Sequence, residues 1–179
     1  IKISYSCTKN LKAIIQTHNQ KILSKQKPPP AEVKTCNCQR RRKDQCPLRG
    51  SCLQENVIYE AATAENPPKM YIGSTENFKK RYTSHTHSFR HESHMNSTTL
   101  SHHIWKQNLG TEPELTWDII DRAPPYKKGN RDCCLCLTEK LHIMYQVNNP
   151  AYLNKRTELA QKCRHRAKFI IWNTLFISV

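Results

Sequence analysis

Two phenols, a guanidinium, an imidazole and a carboxylate stand at Tyr59, Tyr71, Arg81, His85 and Glu139. Gathered around one small surface, they make an inventory for cleaving a phosphodiester. The carboxylate is a hard ligand for Mg²⁺ or Mn²⁺, the cation holds the phosphate, and a base deprotonates water. Composition alone does not select this chemistry. Strand tyrosines commonly pack half-buried, and a helix Arg or Glu is commonly a solvated charge.

A second constellation lies among the nine cysteines. Cys36, Cys38, Cys46 and Cys52 have the count and short spacing of a four-ligand zinc site, although C-x-C followed by C-x5-C is not the commonest pattern. Cys133 and Cys136 form C-x2-C, to which Cys163 and His165 could add two ligands. Two alternatives stay open. Cys133, Cys134 and Cys136 could pack as small hydrophobes on a helix, or Cys46 and Cys52 could recruit two histidines such as His85 or His165. An odd number of closely spaced cysteines, without a secretory signal, suits metal better than disulfides. Cys7 has no assignment.

His85, His87, His91 and His94 have helical spacing on a basic stretch, which predicts solvated or phosphate-facing side chains. His102 and His103 read as surface residues.

These groups need elements to hold them. Val57–Ala61 and Met70–Gly73 read as strands of a β-hairpin across a turn with Asn66, Pro67 and Pro68. Ser74 or Thr75 is the expected N-cap of a helix with Phe78, Tyr82, His85 and Phe89 on its apolar face, and Arg81 shares a side with His85. A helix over 98–107 and a strand through Leu115, Trp117 and Ile119 follow. A turn through Pro124-Pro125 and Gly129-Asn130 leads to a helix over 133–147 bearing Glu139, and a basic helix is expected from Glu158 to about Ile171. With a short amphipathic helix near 9–24 and a Pro28-Pro29-Pro30 linker, the class is α+β: a small three-stranded antiparallel sheet flanked by helices, preceded by a basic, Cys-rich zinc-binding linker.

The chain has 179 residues, and 29 Lys plus Arg against 14 Asp plus Glu give a net charge of +15. Charge of that size calls for a polyanion, because each cation that neutralises a phosphate releases counterions. The candidate contacts are Arg40, Arg41, Arg42, Lys43, Lys79, Lys80, Arg164, Arg166 and Lys168. A hydrophobic fraction of 37% predicts one modest core, and no apolar run is long enough to span a membrane. A start at Ile1-Lys2-Ile3 without Met suggests a piece of a longer polypeptide.

Val57-Ile58-Tyr59, Tyr71-Ile72-Gly73-Ser74-Thr75, Phe78 through Tyr82 with His85, Leu137-Thr138-Glu139-Lys140 and Leu153-Asn154-Lys155-Arg156 resemble, in order, the motif series of GIY-YIG nucleases. A further resemblance, over nearly the whole chain, is to the endonuclease end of Penelope-like retroelements. It rests on Cys36-Asn37-Cys38, Cys46 through Cys52, Ser88-Phe89, Leu100-Ser101, Ile104-Trp105, Cys133 through Lys140 and Lys162-Cys163-Arg164-His165.

The resemblance implies that Tyr59 is the general base or its relay, Tyr71 orients water or phosphate, and Arg81 stabilises charge developing on phosphate. It also implies that His85 hydrogen-bonds Tyr59, Glu139 holds a single Mg²⁺ or Mn²⁺, and Asn154 braces the site. Val57 stands where the family has Gly, and Asn96 near where some members have a second histidine.

The implied organisation is a linker from an upstream reverse transcriptase over 1–35, a zinc-binding segment over 36–54, the nuclease over 55–172 and a tail over 173–179. The implied activity is nicking of nuclear target DNA, with the new 3′-hydroxyl priming reverse transcription of element RNA. A catalytically idle, zinc-stabilised module that binds DNA or RNA is the alternative.

Overall fold

The strand order, β2-β1-β3, makes the most apolar segment central. In the computed structural model, which describes residues 11–24, 36, 38, 46–107 and 113–165, β1 (Val57–Thr63) pairs antiparallel with both β2 (Met70–Thr75) and β3 (Leu115–Arg122). Alternation along β1 divides the apolar residues between two faces. Val57, Tyr59 and Ala61 enter one core with Tyr71, Phe78, Leu100, Ile104 and Trp117. Ile58 enters the other with Ile72, Leu135 and Ile143. The single modest core expected from composition is therefore two thin ones, one on each side of the sheet.

The first face is covered by α2 (Phe78–Arg90) and α3 (Thr99–Gln107), numbered after α1 (Leu11–Ser24). Ser88 and Ser101 hydroxyls meet at 2.7 Å between α2 and α3, and Trp105 donates its indole N–H to the Ser88 carbonyl at 2.9 Å. The N-cap of α2 is Asn77 rather than Ser74 or Thr75, and its side chain accepts from the Lys80 amide at 3.0 Å. The cap moves because β2 runs on through Thr75, keeping Ser74 and Thr75 buried against the sheet.

The second face is covered by α4 (Cys134–Gln146), on which α1 packs, with Gln20 donating to the Tyr145 hydroxyl at 3.4 Å. The basic helix expected from Glu158 is a correction. Among the described residues of that stretch, which end at 165, only α5 (Arg156–Leu159) is helical, and residues 160–165 turn back towards α4. Lys140 on α4 holds that turn, its ammonium donating to the Leu159 and Gln161 carbonyls, and Cys163 faces Cys136 across it. Arg40–Lys43, Arg166, Lys168, Cys7 and the proline linker lie outside the described residues.

β2 is an edge strand, and such an edge exposes unpaired amides and carbonyls. The chain covers it from outside: Met70 N–H donates to the Ala151 carbonyl and Leu153 N–H to the Met70 carbonyl, both at 2.8 Å. At Ile72 the ladder continues through a side chain. Asn154 Oδ1 accepts from Ile72 N–H at 2.8 Å while its Nδ2 donates to the Ile72 carbonyl at 2.9 Å.

Among the described residues no helix is long and apolar enough to cross a membrane. Asn154→Ala strands both buried groups of Ile72, so we expect it to destabilise the fold by about 2 kcal/mol or more. Urea denaturation at neutral pH measures this, and Asn154→Asp should be no milder there, because it sets a carboxylate against the Ile72 carbonyl and Glu158 Oε2.

Candidate functional site

Tyr59 is wholly enclosed, and the backbone opposite it explains how. Its cross-strand partner on β2 is Gly73, and a Cβ there would lie 2.5 Å from the Tyr59 hydroxyl oxygen and 2.6 Å from the ring carbon bearing it. Only glycine leaves room for the phenol to lie flat along β2. A β-bulge between β1 and β3 falls at Ile58/Tyr59, re-aiming the strand where the ring enters the core. Phe78, Trp117 and His85 surround the ring at centroid distances of 5.6, 5.7 and 5.8 Å.

The hydroxyl at the end of that ring is shared. Arg81 donates its Nε–H to it at 3.0 Å, and His85 Nε2 lies 2.7 Å away. His85 is therefore buried, correcting the expectation of a solvated histidine; His87, His91 and His94 are exposed. Burial and then the Arg81 charge push His85 down to about 3, so the ring is neutral at neutral pH. Burial pushes Tyr59 up, opposed by the charge and hydrogen bond of Arg81. A neutral phenol already accepting from Arg81 donates its proton to His85 Nε2, which places the imidazole proton on Nδ1.

Beside this triad a pocket of about 470 Å³ opens, lined by Tyr71, Arg81, Glu139 and Glu158 and by the basic Lys140, Lys155, Lys162 and Arg164. Arg81 comes from the first face, Glu139 from α4 on the second, and they meet beside the edge strand. Burial raises the Glu139 carboxyl above its ordinary value, while the Ser74 hydroxyl, Arg164 and Arg81 pull it down. Burial, then Tyr59, raise Tyr71 well above the ordinary phenol. Asn154 stands behind the pocket. Besides holding Ile72 it donates to Glu158 Oε2 at 2.8 Å, and Glu158 Oε1 accepts from the Thr99 hydroxyl at 3.0 Å. Lys79 and Lys80 are exposed on α2.

The cysteines assemble into two groups. In the first, Cys36 and Cys46 sulfurs are 3.5 Å apart and those of Cys38 and Cys52 are 3.6 Å apart. In the second, Cys136 and Cys163 are 3.5 Å apart, and Cys133 Sγ is 3.1 Å from His165 Nδ1. Within each group all four ligand atoms lie within 4.8 Å of one another.

A disulfide would need about 2.05 Å. Four thiolates at about 2.3 Å from a tetrahedral zinc stand about 3.8 Å apart, so both groups fit a zinc ion. The mixed site does not form. His85 is spent on Tyr59, and His165 joins the second group.

Local structure agrees with a metal at each place. Gly50 N–H donates to Cys46 Sγ at 2.9 Å in a turn whose Arg49 and Gly50 take positive φ of 48° and 102°. Cys36, Cys38, Cys46 and Leu48 pack against the Tyr59 core, so this segment is docked on the sheet domain. His165 Nε2 lies 2.8 Å from Glu76 Oε1, and Tyr126 stacks on its ring at 4.6 Å. That carboxylate fixes the tautomer that leaves Nδ1 for metal, as behind many zinc-bound histidines.

Gly73, Ser74, Glu76, Tyr126 and Lys140 carry roles that sequence reasoning did not assign. Gly73 and Ser74 lie inside a motif already singled out, whereas Glu76 is separated from His165 by too much chain for spacing to reveal it. Comparison with protein-family models, with curated proteins and with solved structures returns no match.

Two measurements test this geometry. Metal analysis should give one zinc in each group, and Cys46→Ser with Cys52→Ser should remove one and spare the other. For His85, the unfolded chain binds the proton near pH 6.5 and the folded chain only near 3. Stability present above the unfolded value is therefore lost as pH falls through that window, by up to about 1.4 kcal/mol per pH unit. The difference in stability between wild type and His85→Asn should shrink from about pH 7 to about pH 5.

Proposed function

We propose that the chain is a divalent-metal-dependent DNA endonuclease of the GIY-YIG type, from a Penelope-like retroelement. The carrying observation is the convergence of Arg81 and Glu139 on one basic pocket, with Arg81 joining that pocket to the enclosed Tyr59, which is bonded to His85 as well. The five-motif resemblance supports the family, and the +15 charge supports a nucleic-acid substrate.

The reaction is hydrolysis. Water oxygen bonds to phosphorus as the P–O3′ bond breaks, leaving a 5′-phosphate and a 3′-hydroxyl, and the proton leaving water balances the one gained by O3′. Arg81 lies where negative charge grows on the phosphoryl oxygens.

Tyr59 accepts a proton only as phenolate. Arg81 favours that form, and a neutral His85 in its Nε2–H tautomer would donate to the phenolate oxygen. Glu139 would hold Mg²⁺ or Mn²⁺, its hard carboxylate lining a polar pocket that Glu158 also lines, and the ion would supply Lewis-acid charge to the phosphate. Tyr71 lines the same pocket and orients the substrate.

On this reading nicked nuclear DNA supplies the 3′-hydroxyl from which an upstream reverse transcriptase copies element RNA. A second reading, an idle zinc-stabilised binding module, draws on the complete burial of Tyr59.

Nicking of supercoiled plasmid with Mg²⁺ separates the two. Wild type should nick, Glu139→Ala should lose about a hundredfold or more, and Tyr59→Phe should lose comparably. DNA binding without nicking in wild type would leave the binding module standing.

A further inference from the structure

Arg164 lies between two members of the second metal group. Cys163 faces Cys136 at 3.5 Å and His165 faces Cys133 at 3.1 Å, so both neighbours of Arg164 point at one centre. The guanidinium goes elsewhere. Arg164 Nη2 donates to the Ser74 hydroxyl at 3.0 Å and to the Ser74 carbonyl at 3.3 Å. Ser74 is buried on β2, next to Gly73, on which the Tyr59 ring rests. Arg164 thus lines the pocket with Arg81 and Glu139, although it arrives from a turn of the opposite face.

A solvated arginine on a turn of this kind would sample many rotamers. Here its backbone is fixed on both sides by ligand residues and from beneath by Lys140, which holds the Leu159 and Gln161 carbonyls of the same turn. Arginine carries five N–H donors in a planar fork, and both bonds to Ser74 use one nitrogen. The remainder of the fork can serve a phosphate.

We propose that Arg164 is a second guanidinium acting on the scissile phosphate, and that the metal held by Cys133, Cys136, Cys163 and His165 is what positions it. This rests on the nuclease reading and deepens it. Arg81 and Arg164 then grip the phosphate from the two faces of the sheet, and the metal group controls cleavage through one side chain without touching substrate.

The test uses the full chain, with zinc content, affinity for a short DNA duplex in Ca²⁺, and nicking rate in Mg²⁺ as separate readouts. Arg164→Ala should keep the zinc content of wild type, change duplex affinity by less than about tenfold, and slow nicking about a hundredfold. Arg164→Lys should recover part of the rate. Cys163→Ser should lose one zinc and slow nicking as much, and adding Arg164→Ala to it should cost nothing more, because the two changes remove one interaction.

Wild-type nicking by Arg164→Ala would overturn the proposal. So would equal losses in affinity and rate, the mark of an ordinary backbone contact, or additive losses in the double variant.

The Arg164 side-chain NMR signal tests the coupling independently of cleavage. It should be dispersed and protected in wild type and averaged in Cys163→Ser. If wild type does not nick, the nuclease reading fails by itself, and an Arg164 signal unchanged in Cys163→Ser then overturns the coupling as well.

Discussion

The structure depends on a phenol lying against a glycine. Tyr59 and Gly73 face each other across the β1–β2 ladder, and the missing side chain at 73 gives the ring its place. Its buried hydroxyl must then be satisfied from within the protein, because an unpaired polar group there would cost about 1–3 kcal/mol. Arg81 and His85, four residues apart on α2, provide both bonds. The rotation of α2 about its axis is thereby set, and with it the placing of Phe78 and Tyr82 against Trp117. One close approach in the sheet thus aligns a helix, closes a core and holds Arg81 at the pocket.

Two thin cores around a three-stranded sheet leave little apolar area to hold peripheral segments. Each cysteine group is fastened to one of them: Cys52 belongs to the Tyr59 core, and Cys133, Cys136 and Cys163 to the Ile58 core. A tetrahedral ion held there would do what a larger core does elsewhere, tying distant chain to the sheet through ligand bonds. The second group joins the start of α4 to the turn after α5, so it spans the second face from Cys133 to His165. The pocket lies along that span. Its basic wall takes Lys140 from α4 itself and Lys162 and Arg164 from the short turn that Cys163 and Lys140 hold in place.

The hairpin, the third strand and the helices over 78–90, 99–107 and 134–146 were legible because periodicity and turn chemistry act over a few residues. The two metal groups were legible from ligand count, although the choice between an all-cysteine site and a mixed one was not. That choice turned on His85, whose burial depends on Tyr59 and Trp117, residues outside its own helical pattern. The misread C-terminal helix has a similar cause. Residues 160–165 have helix-forming composition, but the contacts of Cys163 with Cys136 and of His165 with Cys133, and two carbonyl bonds to Lys140, outweigh propensity. Likewise Ser74 is a good cap in isolation and is overridden by a strand that needs it buried.

The burial that positions Tyr59 also decides how protons can move. With His85 held neutral and the phenol raised, neither is a base at neutral pH by itself. Arg81 alters this by favouring the phenolate through a bond already present in the fold, so the cost of orienting that dipole is met in folding. A neutral imidazole serves either state of the phenol, accepting from the hydroxyl or donating to the phenolate, without a change in its own charge. A charged histidine could only donate, and would stand as an added buried cation beside Arg81. The low proton affinity of His85 therefore suits the arrangement: a neutral ring satisfies the buried phenol without adding a second charge beside Arg81.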